Sequence, residues 1–198
     1  MSDLVTVQGM VISAVPVGEY DKRVVLLTRE RGKISAFAKG ARRPNSSLLA
    51  AANPFVLGSF TLYEGRTSYT VNQASPTHYF TELAQEQPGV YYGFYFLELA
   101  DYFGREGVDA HETVNLLYVT LLALLNDKLS NELVQSIFEF RLLVIQGEYP
   151  QIFQCVSCGC EDHLSYFSQS LHGMVCEKCV GAASDLKPVG ENVRYTLQ

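Results

Sequence analysis

In the first eighty residues apolar and polar side chains alternate over five short runs, Leu4 to Ala14, Arg23 to Thr28, Lys33 to Ala38, Phe55 to Glu64 and Ser68 to Ala74. A period of two over such lengths marks strands with one buried face. Pro16, Gly18, Gly32, Gly40, Pro44, Pro54 and Gly65 punctuate the runs with turn chemistry. The gap between the third and fourth runs holds NSSLLAAAN, long enough for a short helix. Five strands with a helix after the third predict a small Greek-key barrel of the OB type, another five-stranded barrel being the alternative. In the third run Ile34, Ala36 and Ala38 share one face, and Lys33, Ser35, Phe37 and Lys39 share the other. One face packs; the other is basic with an aromatic in it.

From Phe80 onward the period becomes helical. Pro88 starts a helix through GVYYGFYFLELADYFGREG, with Gly104 and Gly107 as stops, and Ala110 to Asn126 and Asn131 to Gln146 give two more. The first is apolar and aromatic almost all round, which predicts a helix buried in a bundle. Arg141, in the apolar stretch IFEFRLLVI, must be paired internally or must lie where a carboxylate is received. The expected fold class is α+β: an OB-type barrel over residues 1–80, then a helical domain over 81–198 carrying a ribbon at about 151–182.

Charge sharpens this division. Residues 1–80 hold nine Lys/Arg against five Asp/Glu, residues 81–150 three against eleven, and residues 151–198 three against five. Between residues 22 and 43 eight cations, Lys22, Arg23, Arg29, Arg31, Lys33, Lys39, Arg42 and Arg43, face one acid, Glu30. On the second and third strands of an OB barrel such a surplus fits phosphates, with Phe37 and Tyr20 as candidate platforms for bases. An ordinary solvated face is the alternative. The acidic middle segment suits protein partners instead. The N-terminus lacks a basic region before its apolar residues, and the most apolar run, Val114 to Leu125, is too short to span a bilayer, so a soluble cytoplasmic protein with no membrane association is expected.

The remaining chemistry lies in CVSCGCEDHLSYFSQSLHGMVCEKC, where Cys155, Cys158, Cys176 and Cys179 form two Cys-x-x-Cys pairs separated by seventeen residues. In a reducing compartment such pairs hold metal more readily than they form disulfides. A redox site would need a βαβ context, a zinc deaminase a His-x-Glu with Pro-Cys-x-x-Cys, and a zincin a His-Glu-x-x-His; none is present. Four thiolates favour one tetrahedral, structural Zn2+ with no open position. Cys160 is the odd thiol, able to replace Cys158 in a Cys-x4-Cys variant, and His163 and His172 are spare ligands. No nucleophile with a base and no phosphate-binding Gly-Lys-Ser/Thr loop is visible, so no enzyme activity is expected.

The stretches VGEYDKRVVLLTRERGKISAFAKGARRPNSS and FEFRLLVIQGEYPQIFQCVSCG and the closing CEKC, in that order, resemble the RecO family of bacterial recombination mediators over residues 1 to about 182. The resemblance implies an OB domain, a helical domain and an inserted zinc ribbon. It implies binding of single- and double-stranded DNA, strand annealing, and cooperation with RecR and single-stranded DNA-binding protein to load RecA. By position it makes Arg23, Lys33, Lys39, Arg42 and Arg43 the DNA-binding residues and the four paired cysteines the zinc ligands. Family members usually continue with further helical sequence after the ribbon, whereas ASDLKPVGENVRYTLQ follows it here. A barrel-and-ribbon adaptor in a transcription or translation complex is the alternative function.

Overall fold

The alternating N-terminal runs form five strands, β1 (Leu4–Val17), β2 (Asp21–Thr28), β3 (Gly32–Ala38), β4 (Leu57–Glu64) and β5 (Tyr69–His78). They close into a barrel in the order β1-β2-β3-β5-β4, and the predicted helix, α1 (Leu48–Ala51), sits between β3 and β4. This is the expected OB arrangement. The computed structural model describes residues 3–66, 68–85 and 87–197, and the chain divides into two compact units, Met1–Gln146 and Gly147–Gln198.

β1 closes the barrel because it is long enough to serve two neighbours. Its first half pairs with β4 from Leu4↔Tyr63 to Met10↔Leu57, and its second half pairs with β2 from Gly9↔Thr28 to Val17↔Asp21. The register slips between Val11 and Ser13, so that the strand bends around Ile12. Closure is completed by a short parallel pairing, Ala36↔Tyr69 and Phe37↔Thr70.

Two cores share the barrel wall. Val7, Val11, Val24, Leu26, Ile34, Ala36 and Phe60 fill the interior, while Met10, Ile12 and Leu27 point outward and are nevertheless buried, because helices cover that side. The continuous apolar run Val24–Leu27 is thereby explained: alternate residues serve opposite cores. Burying each such side chain contributes about 1.5–3 kcal/mol.

The covering layer is α2 (Gly89–Phe103), α3 (His111–Leu124) and α4 (Asn131–Ile145), close to the predicted limits. Ser130 caps α4 by accepting the Leu133 N–H at 3.2 Å. Phe96 of α2 and Phe138 of α4, both fully buried, meet with ring centroids 4.4 Å apart. The expectation that α2 is buried all round is corrected here. Gly89, Gly93, Phe96, Leu97 and Ala100 face inward, but Tyr91 is 64% and Tyr102 71% exposed. The tyrosines can stand in water because their hydroxyls remain solvated.

The second unit is a small ribbon. β6 (Leu164–Ser168) pairs with β7 (Gly173–Cys176) on one side and β8 (Lys187–Pro188) on the other, and α5 (Glu191–Leu197) follows. It has a core of its own, Ile152, Cys155, Leu164, Met174, Val175 and Cys176.

Candidate nucleic-acid interface and metal centre

The eight cations of residues 22–43 divide into two groups. Four are engaged within the unit. Lys22 Nζ donates to Ala52 O at 3.0 Å and Asn53 Oδ1 at 2.6 Å, and Arg29 Nη2 donates to Asn115 Oδ1 at 2.8 Å. Arg31 pairs with Glu64 at 2.9 Å, and Lys33 Nζ donates to Asp101 O at 2.6 Å while lying 3.4 Å from the Asp101 carboxylate. Burial, followed by repulsion from Arg42, lowers the Lys22 pKa.

The other four are Arg23, Lys39, Arg42 and Arg43, all exposed and, among the described residues, without an ion-pair partner. They gather at one end of the β2–β3 pair. Arg23 stands directly opposite Phe37, which is half-buried, and Val15 of β1 stands on the other side of Arg23. The loop after β3 is fastened to the β1–β2 turn by Arg42 N–H donating to Tyr20 O at 2.8 Å and Gly40 N–H donating to Asp21 Oδ1 at 2.7 Å. Arg42 Nη1 donates to Gly18 O and Glu19 O at 3.3 and 3.1 Å, and the Arg43 guanidinium lies 5.0 Å above the Tyr20 ring. The turns thus present a cationic, aromatic ledge whose loops are held by backbone hydrogen bonds.

One cation near this ledge escaped the reading of the sequence. Arg105 borders an open cleft of about 490 Å3 together with Arg23, Lys33, Ser35 and Asp101. Its neighbours in the chain are acidic or neutral, so only the fold brings it beside Arg23. Arg141, for its part, is exposed and unpaired among the described residues. Together with Glu112 it lines a largely apolar groove of about 500 Å3 between α3 and α4, whose other walls include Leu116, Val119, Leu133 and Ile137. No internal ion pair holds it.

In the ribbon, Cys155, Cys158, Cys160 and Cys176 bring their sulfurs within 4.8 Å of one another. The Cys158 and Cys176 sulfurs are 3.7 Å apart, far too long for a disulfide and close to the edge of about 3.8 Å that a tetrahedron with Zn–S bonds of 2.3 Å requires. Cys179 lies outside this four-sulfur set, and hydrogen bonding with the Cys158 and Cys176 thiols pushes its own up to about 12. Burial pushes the Cys155 thiol up, but the amides of Cys176, Cys158 and Ser157 outweigh it and hold the group down at about 6. Hydrogen bonding with Cys158 and Cys176 pushes Cys160 up to about 12. So dense a set of thiols cannot all ionise without a cation among them, and the residues present fit a metal of zinc's preferences. The sequence pairs were 155/158 and 176/179; the four-sulfur set includes Cys160 where the sequence reading placed Cys179. His163 and His172 are absent from it, and their positive φ values of 53° and 52° mark them as turn residues.

No helix among the described residues is long and apolar enough to cross a membrane. The family model described as Recombination protein O N terminal matches residues 1–80, and that of Recombination protein O C terminal matches residues 88–198. The DNA repair protein RecO of Alkaliphilus metalliredigens is 37% identical over 182 residues, spanning 91% of this chain and 74% of that protein. RecO of Desulforudis audaxviator is 35% identical, spanning 87% and 69%, and that of Bacillus subtilis 31% identical, spanning 87% and 67%. A closed five-stranded barrel with a cationic ledge, a helical layer, a cysteine ribbon and these matches agree, and the chain belongs to the RecO family of DNA repair proteins.

Proposed function

We propose that this protein is a non-enzymatic recombination mediator: it binds single- and double-stranded DNA, anneals complementary strands, and acts with RecR and single-stranded DNA-binding protein to load RecA. The observation that carries this reading is the ledge of Arg23, Lys39, Arg42 and Arg43, exposed and without an ion-pair partner among the described residues. Cations fixed on a rigid barrel neutralise phosphates of two strands at once and release condensed counterions, which lowers the repulsion that slows annealing. Phe37 and Tyr20 supply ring faces for unpaired bases. Lys33 contributes to the barrel's join with α2, so four cations are available to phosphate. The apolar groove that carries Arg141 and Glu112 suits a protein partner that offers an apolar segment. One Zn2+ held by the ribbon cysteines is a structural staple, supplying folding energy and no reaction. A cytoplasmic, nucleoid-associated site of action follows from DNA as ligand.

The test is annealing and anisotropy binding with complementary oligonucleotides across a salt series, with and without single-stranded DNA-binding protein on the strands. With four phosphate contacts the plot of log K against log salt has a slope of about −2.8 for single-stranded DNA. Combining Arg23→Ala, Lys39→Ala and Arg43→Ala brings the slope to roughly −0.7 and abolishes annealing. Arg42 is spared in that variant because it braces the β1–β2 turn. A wild-type affinity insensitive to salt, or an unaltered slope in the variant, rejects the proposal and leaves the adaptor reading.

A further inference from the structure

The ribbon holds one thiol more than a tetrahedral ion can use. Gly159, at φ 74°, reverses the chain after the first knuckle, and two hydrogen bonds close the reversal: Gly159 N–H to Cys155 O at 2.8 Å, and Cys155 N–H to Cys160 O at 2.7 Å. Cys160 is thereby returned to the face that carries Cys155 and Cys158, and its sulfur joins theirs and that of Cys176 within 4.8 Å. Cys179 arrives from the opposite knuckle, three residues past Cys176 on the short helical turn Glu177–Ala182 that follows β7, and lies outside that four-sulfur set. Cys160 and Cys179 are half-exposed and Cys155 and Cys176 buried, while Cys158, whose sulfur lies 3.7 Å from that of Cys176, is exposed.

We infer that Cys160 and Cys179 are alternative fourth ligands to a single metal ion held throughout by Cys155, Cys158 and Cys176. This rests on reading the cysteines as a metal centre and adds to it a fifth, exchangeable thiol. The two candidates come from different elements: Cys160 follows the first knuckle and lies in the four-sulfur set, and Cys179 stands three residues past Cys176 on the turn after β7. Charge makes them exclusive. Four thiolates leave a zinc site at −2, and a fifth beside Glu161, Asp162 and Glu177 adds another negative charge to an already anionic surface. The displaced residue therefore stands as a free, solvent-reachable thiol in contact with a bound thiolate. Exchange between the two lets the site give up one ligand without opening the ion to water.

The experiment uses the full zinc-loaded chain. Zinc is counted by elemental analysis, the protein is alkylated with iodoacetamide, and the label is located by peptide mass mapping. Sharing predicts one zinc per chain and label divided between Cys160 and Cys179, with Cys155, Cys176 and the exposed Cys158 all protected. Label on only one of the two overturns it. The cobalt-substituted Cys160→Ser and Cys179→Ser chains each keep the absorption of a four-thiolate ion. The double variant falls to that of three thiolates and loses zinc to a chelator faster by more than the roughly 10- to 100-fold that loss of a supporting hydrogen bond costs. A Cys179→Ser chain indistinguishable from the double variant rejects the inference. Wild-type protein without metal rejects the metal centre and this inference together, whereas bound zinc with one-sided labelling removes the sharing alone.

Discussion

Gly32 turns the chain between β2 and β3 at φ 64°, and a Cβ there would drive into the carbonyl oxygens of Arg105 and Val108. The position is crowded because the α2–α3 connection is laced to this turn: Lys33 N–H donates to Arg105 O at 3.0 Å, Gly107 N–H to Arg31 O at 2.9 Å and Ala110 N–H to Arg29 O at 3.1 Å. Gly32→Ala meets left-handed strain and the collision together, so a loss of at least about 2 kcal/mol is expected in denaturant unfolding, with the hydrogen-exchange protection of Lys33, Gly107 and Ala110 falling first. Asp185 is a second single-residue staple. It accepts from the Ser170 amide, the Ser168 hydroxyl and the Ser170 hydroxyl at 2.8, 2.8 and 2.9 Å, and the Ser170 amide foremost holds its carboxyl down at about 2. A depressed carboxylate pKa contributes stability above the ordinary value of 3.8 and loses it as the pH falls through about 2. Asp185→Asn should therefore speed exchange of the Ser170 amide by a factor that stays constant between about pH 5 and 8, measured relative to wild type. Neither residue announces itself in sequence. A glycine between strands signals a turn but not its neighbours, and Asp185 acts on serines fifteen and seventeen positions back.

At the scale of elements, the strands were legible because a half-buried strand must alternate, and β3 does so residue for residue: Gly32, Ile34, Ala36 and Ala38 are buried, and Lys33, Ser35 and Phe37 are not. β1 and β2 were legible only in part. The consecutive buried residues Met10, Val11 and Ile12 break the period because the strand bulges and both faces are covered, a tertiary circumstance. The limits of α2, α3 and α4 followed from Pro88, the glycines and the helical period, but the buried side of α2 did not, since aromatic residues occur all around it. What selects that side is Phe138 of α4 against Phe96, with Gly93 allowing Phe55 of the barrel to approach its helix. Phe138→Ala removes a fully buried ring from the centre of this layer and should cost about 3–5 kcal/mol in equilibrium unfolding. Tyr102→Ala, on the exposed side of the same α2, should change stability by no more than about 0.5 kcal/mol. Equal losses in the two variants would show that α2 packs on both sides after all.

Over the whole molecule, charge and core divide along different lines. The cationic ledge and the most acidic stretch lie within one compact unit, so a chain of net charge −6 can hold a polyanion only through a local field. That field extends about 8–10 Å at physiological salt, which is why a ledge of four cations can act although the total charge opposes it. Sequence counting showed the imbalance, eight cations against one acid over residues 22–43, but could not see that Lys22, Arg29, Arg31 and Lys33 are engaged by the barrel and the helices. Cores divide differently. The apolar core of residues 147–198 includes the buried cysteines Cys155 and Cys176, so candidate metal ligands are themselves part of the packing. A domain this small is below the size at which apolar burial alone suffices, and metal affinity becomes folding free energy. Removing zinc with a strong chelator should therefore unfold the ribbon, exposing the amides of Met174, Val175 and Cys176 to exchange. The barrel and the α2–α4 layer, which have separate cores, should keep their protection and their salt-dependent grip on DNA. Hydrogen exchange read by mass spectrometry before and after chelation decides this. Protection lost together in both units would mean that the metal supports the whole fold, and protection unchanged in residues 147–198 would mean that it supports none of it.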